Sequence, residues 1–149
     1  MTEFDIQEKL FDTFCTLNDF SQLPFLVIDD TKEGYEKYTN AHFPNVPFEV
    51  PDDKRWFDLT FRNNEPEDAA IMEGSQARFT GLLYIDIITP QDSFEDEAKN
   101  KFKWISKLFN SVDIDVIDIM RVYIANKGNE ADHYRTLAAV EWEADIDKE

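Results

Sequence analysis

The chain is short of cysteine, glycine and positive charge: its 149 residues include 1 Cys, 4 Gly and 15 Lys and Arg. One cysteine closes no internal disulfide, and Cys15 sits in an amphipathic stretch where a small buried thiol is expected. So few glycines leave no phosphate-cradling loop, and Ser75, Ser93 and Ser111 lack a G-x-S-x-G elbow. No apolar run is long enough to span a bilayer, and Met1-Thr2-Glu3-Phe4-Asp5 has neither the basic nor the apolar part of a secretory signal. The expected setting is a reducing, cytosol-like compartment. The scarce cations face 32 Asp and Glu, for a formal net charge of −17. Phosphate backbones and anionic lipids both recruit clustered cations, so neither sequence-specific nucleic-acid binding nor membrane binding is expected.

Aromatic residues, by contrast, are plentiful. Hydrophobic residues make up 42% of the chain and aromatics 14%, with 13 Phe, a composition too apolar for disorder. At this length roughly 69% of the chain surface can be buried, enough for a core without disulfides or a structural metal. A single domain over 1–149 is expected, with 145–149 a frayed acidic tail.

Ile6, Leu10, Phe14 and Leu17 recur at helical spacing, Phe11 widens the stripe, and a helix is predicted over 3–18 with Thr2 and Asp5 at its start. Phe25-Leu26-Val27-Ile28 reads as a short buried strand, followed by a loop over 29–40. Pro44, Pro47 and Pro51 keep the next segment extended but outside any central strand. Over 56–62, Phe57, Leu59 and Phe61 alternate with Trp56, Asp58, Thr60 and Arg62, as in a strand with two distinct faces. The strand predicted over 77–89 carries Phe79, Leu83, Ile85 and Ile87 on one side and Leu82, Tyr84 and Ile88 on the other, so both sides are expected to be covered. After Pro90, Ser93 and Asp96 mark a helix start, and Phe94, Ala98, Phe102, Ile105 and Phe109 trace its buried stripe. A strand over 114–125 with a bulge at Val116-Ile117, a turn at Lys127-Gly128-Asn129 and a strand over 133–144 complete the order. Helix, strands, helix, strands predict an α+β fold: a mainly antiparallel, twisted sheet of four to five strands with two main helices packed on one face.

The search for chemistry yields little. Asp113, Asp115 and Asp118 look like metal ligands, yet Asp113 and Asp115 alternate with Ile114 and Val116 as a solvated strand face does, and calcium-loop spacing fails. Asp58 and Asp86 each lie within an apolar strand. Opposed across a sheet they would form an acid–base couple suited to a hydrolase; the simpler reading has each facing water or paired with Arg62, Arg78 or Arg121. His42 and His133 lack metal-ligand spacing. No catalytic, cofactor or metal site is assigned, and no enzymatic activity is expected. Other features suit assembly. Ile71 and Met72 interrupt the polar connection 63–74, Leu82 and Tyr84 make the second face of a strand apolar, and Phe43 and Phe48 ride on the proline-rich segment. All are candidate subunit or tube contacts.

Taken in order, several segments resemble the tail terminator, or tail completion, proteins of long-tailed bacteriophages, the lambda-like minor tail family. They are the first helix, Phe43-Pro44-Asn45-Val46-Pro47-Phe48 with Pro51, Trp56-Phe57-Asp58-Leu59-Thr60-Phe61 and Gly81-Leu82-Leu83-Tyr84-Ile85-Asp86-Ile87. The helix after Pro90 and the closing Tyr134 and Val140-Glu141-Trp142-Glu143-Ala144 continue the likeness, while 35–41 lengthens the stretch before Phe43 relative to the family pattern. The resemblance implies an α+β subunit that assembles into a ring, commonly a hexamer, on the end of the tail tube. There it would halt tube polymerisation and present a surface for joining the head. Tail tube protein and head–tail connector or neck proteins are the implied partners. The implied location is the neck end of the virion tail, after synthesis in the bacterial host cytoplasm. No catalytic residue and no cofactor come with it. An acidic lumen would repel the phosphates of passing DNA, and Asp113, Asp115, Glu141 and Glu143 are its candidate lining. The alternative is a small acidic DNA mimic that inhibits a nucleic-acid-binding protein. A mimic calls for carboxylates over a whole face, a terminator for apolar contact surface, and the two-sided strand favours the second.

Overall fold

A computed structural model describes residues 3–64, 67–68, 76–91, 95–130 and 132–147. The first helix is shorter than its apolar spacing predicts. Helix α1 (Glu3–Phe14) stops, and a separate short helix α2 (Leu17–Ser21) follows. At the break the Thr13 hydroxyl donates to the Lys9 carbonyl at 2.8 Å, while the Thr13 carbonyl accepts both the Thr16 N–H at 3.0 Å and the Thr16 hydroxyl at 2.7 Å. Threonine side chains thus draw off carbonyls that would otherwise carry the helix onward. The α1 start expected at Thr2 lies outside the described residues.

The strand expected over 25–28 is not formed. Leu26 is buried, but Val27 and Ile28 are exposed, and one antiparallel bridge joins Ile28 to Tyr38. Two asparagines supply the backbone partners that a neighbouring strand would have given. Asn18 accepts from the Leu26 N–H and donates to its carbonyl, both at 2.7 Å. Asn40 accepts from the Val27 N–H at 2.9 Å and donates to the Phe25 carbonyl at 2.8 Å. A 3-10 turn (Gly34–Lys37) interrupts the loop that follows.

Among the described residues the sheet has six strands: β1 (Ala41–His42), β2 (Trp56–Asn63), β3 (Glu67–Asp68), β4 (Gln76–Pro90), β5 (Ile117–Glu130) and β6 (His133–Asp147). The path is β1-β2-β4-β6-β5, with β3 paired to β4 beyond the end of β2. Strand β1 runs parallel to β2, and the other pairs are antiparallel. This is the α+β fold, mostly antiparallel, that the element order predicts, except that the tail expected to fray from 145 is paired strand as far as Asp147, held by β4 from Gln76 to Arg78. Alternation in β2 and β4 reads true: Phe57, Leu59, Leu83, Ile85 and Ile87 are buried on one side and meet Ala138, Val140, Trp142 and Ala144 of β6.

Helix α3 (Glu95–Ser111) and helix α1 close that side. The buried stripe of α3 is Ala98, Lys101, Ile105, Leu108 and Phe109, so it is rotated from the expected one and leaves Phe102 half-buried. Its Ser93 and Phe94 lie outside the described residues. Lys101 is tolerated inside because its ammonium reaches Glu97 at 3.4 Å and stands 5.4 Å over the Phe57 ring. Gly81 is required by close approach: an added β-carbon would meet the Arg62 carbonyl and lie 2.6 Å from the Trp142 ring. That ring stacks on Phe61 at 5.5 Å.

Strand β5 departs most from expectation. Ile114 bonds back through a turn to Ile117, with Asp115 at φ 48°, so the strand begins at Ile117 rather than 114. The expected bulge at Val116-Ile117 is therefore a turn, and register shifts fall instead between Ile119 and Arg121 and between Ile124 and Asn126. The predicted turn at Lys127-Gly128-Asn129 is strand, paired with Thr136, Arg135 and Tyr134, and the chain reverses after Glu130.

Candidate functional site

Pairing fixes which side chains share the sheet face turned away from α1 and α3. Trp56, Ile88, Arg135 and Gly128 form one row, and Asp58, Asp86, Leu137 and Asn126 the next. Thr60, Tyr84, Ala139 and Tyr123 follow, then Arg62, Leu82, Glu141 and Arg121. The middle of this face is apolar: Ile88 and Ala139 are buried, while Leu82, Tyr84, Leu137 and Tyr123 are half-buried.

One end is laced with ion pairs. Arg121 Nε donates to Glu141 Oε2 at 2.6 Å, with its guanidinium 4.4 Å over the Tyr123 ring, and Arg78 Nε lies 3.9 Å from Glu143 Oε1. The other end holds a charged cluster. Asp58 stands directly opposite Asp86 in the β2–β4 register. His42 Nδ1 is 3.4 Å from Asp58, and Arg135 bridges Asp86 at 3.3 Å and Glu130 at 2.9 Å. Rings border it: His42 stacks on Phe48 at 4.8 Å, and Trp56 lies 5.7 Å from His133.

Burial raises the Asp86 carboxyl to about 6; Arg135 works against the rise, and the charges of Asp58 and Glu130 add to it. Burial also raises Asp58, opposed by His42 and Arg135. A recess of about 360 Å³ opens beside Asp86, Asn126, Glu130 and Arg135. The arrangement can take up and release a proton near neutral pH. No group of three or more His, Cys, Asp and Glu suited to a metal ion occurs among the described residues. The cross-strand meeting of Asp58 and Asp86 was one of two readings open from sequence. Their side-chain partners are His42 and Arg135, not Arg62, Arg78 or Arg121. His42 and His133, unrelated in sequence, converge here because β1 ends and β6 begins at the same end of the face. Only strand register could have revealed that.

Of the candidate contact residues, Leu82 and Tyr84 sit in the middle of the open face. Phe48 is half-buried at its margin, stacked on His42. Phe43 is 1% exposed and packs in the core, 4.5 Å from Tyr35 and 5.3 Å from Phe11, so it fills the interior instead of presenting a surface. Ile71 and Met72 lie outside the described residues. Glu141 and Glu143 share the open face, whereas Asp113 and Asp115 lie exposed in the loop after α3, where Asp115 is 3.6 Å from Lys9 of α1. The thiol of Cys15, half-buried and bonded to Tyr38, is pushed up to about 12, chiefly by burial.

A two-layer α+β domain with one helix-covered and one open sheet face is the class these features define. Residues 32–142 match the family model described as phage tail terminator protein, and the chain belongs to that family. It is a family of phage tail structural proteins, with partners in the tail and at the head–tail junction. One solved structure shares the fold at 13% identity and a TM-score of 0.58, covering 96% of this chain and 98% of its own. No curated protein matches. Among the described residues no helix is long and apolar enough to cross a membrane.

Proposed function

We propose that this chain assembles into a ring, a hexamer by family resemblance, that caps the end of a long phage tail tube. The ring stops tube polymerisation and presents the surface on which the head, through connector or neck proteins, is joined. The observation that carries the reading is the family match over residues 32–142. The apolar middle of the open face, with Leu82, Tyr84, Leu137 and Tyr123 half-exposed, supports it as contact surface. Glu141 and Glu143 are proposed for the DNA-facing wall, and Asp113 and Asp115, on a different side of the domain, for an acidic rim. A DNA mimic fits less well, because a mimic calls for carboxylates over a whole face and the middle of the open face is apolar, with Leu82, Tyr84, Leu137 and Tyr123.

Mass measurement by native mass spectrometry, alone and with purified tail tube protein, tests the proposal. A multiple of 17.5 kDa matching a closed ring, together with shorter tubes in its presence, is expected. A chain that stays monomeric with tube protein and leaves tube length unchanged would refute it.

A further inference from the structure

The basic side chains of this acidic protein are mostly answered by carboxylates. Lys9, Lys54, Lys99, Lys101 and Lys127 each lie within 4.0 Å of one. Lys32, Lys37, Arg62, Lys103 and Lys107 do not, among the described residues, although acids outnumber bases 32 to 15, and of these Lys103 and Lys107 lie one helical turn apart on α3. Both stand over the same ring instead: their ammonium groups are 5.9 and 4.9 Å from the centre of Trp104. Phe20 of α2 meets that ring edge-on at 6.1 Å and remains 36% exposed. Trp104 itself is half-buried against the core, so the pair offers the Phe20 ring and one side of the indole, flanked by two cations, and exposed aromatic surface of this kind anchors interfaces.

A counterpart surface lies elsewhere on the same molecule. Asp5, Glu8, Asp12 and Asp115 border a recess of about 470 Å³ in which Lys9 is the sole base. Exposed apolar side chains neighbour its lining residues in the chain. Phe4, one helical turn from Glu8, is 77% exposed, and Val116, next to Asp115, is 45% exposed. One surface is basic with an exposed Phe20 ring beside the half-buried Trp104, and the other is acidic with exposed apolar side chains nearby.

We infer that the Trp104 surface, with Lys103 and Lys107, docks on the Phe4–Glu8–Asp115 surface of a second copy of this chain. The contact is head to tail, so each copy keeps one surface of each kind for its two neighbours, and the rotation between them closes a ring. In this closed form the inference rests on the ring reading above; the pairing of the two surfaces does not.

Two charge-reversed variants test it. Lys103→Glu with Lys107→Glu, and Asp5→Lys with Glu8→Lys, are each expected to weaken self-association about tenfold or more by light scattering. Melting curves establish that both are folded. Mixed one to one, they restore complementary surfaces at every contact, and native mass spectrometry is expected to show assemblies with equal numbers of each. If the lysine variant assembles like the parent, or the folded mixture stays monomeric, the docking is overturned while a ring made by other contacts stands. If charge-dependent assemblies form but never cap a tube, the docking stands and the terminal-ring reading falls. A parent chain that is monomeric alone and with tube protein overturns both.

Discussion

At Asp86 a carboxylate 14% exposed faces a second carboxylate across two strands, with one guanidinium shared between it and Glu130. Its folded value of about 6 stands above the 3.8 of an unburied group, so between those values the folded chain holds more protons than the unfolded one. Stability from this site is therefore fully present below pH 3.8 and lost as pH rises through 6. Urea unfolding at pH 5.0 and 7.5 is expected to show the protein more stable at the lower pH by ~1–2 kcal/mol from this site, and Asp86→Asn is expected to flatten that slope. Glu97 does not obscure the window. Burial pushes its carboxyl up, but the hydrogen bond from Arg55 at 2.6 Å and the charge of Lys101 hold it below 4.5. Its contribution is lost only at pH lower still.

Where two elements pass closest, a side chain and an absent one act together. Trp142 is fully buried, and Gly81 beside it leaves the room its ring fills. Trp142→Ala is expected to cost ~3–5 kcal/mol through the cavity left, and Gly81→Ala ~1–3 kcal/mol through overpacking, both read from denaturant midpoints. Strands β2 and β4 and helix α3 were legible in sequence because one-sided burial writes a period of 2 or 3.6 into the residues. The break at Cys15 was not, because apolar spacing continues across it while the threonines alone redirect the carbonyls. Nor was the fate of 25–28, whose apolar run looks like a strand until Asn18 and Asn40 are seen to take its backbone groups. In β5 the signal is weak for a physical reason: an edge strand is wet along one side, and its two register shifts exchange the faces of the residues that follow. The open face was visible as Leu82 and Tyr84, but the cluster at its end depends on register between distant segments.

As a whole, each copy carries a net charge of −17, and copies repel one another before any local surface meets. That repulsion reaches ~30 Å at 0.01 M salt and ~8 Å at 0.15 M, while contact pairs at the docking surfaces weaken only as salt approaches ~1 M. Light scattering across this range is expected to show assembly greatest at intermediate salt and reduced at both extremes. Uniform decline from the lowest salt would mean that contact pairs outweigh the overall charge. The strand order has a different consequence, one of timing. Strand β6 follows every element it joins, yet it lies inside the sheet between β4 and β5. During synthesis β5 therefore emerges before the strand beside which it lies, and β4 waits with one edge bare. Because β6 pairs back on β5 through the reversal after Glu130, those two close locally as a hairpin, and the late, non-local step is the docking of β6 on β4, which leaves the β4 edge bare to neighbouring nascent chains until then.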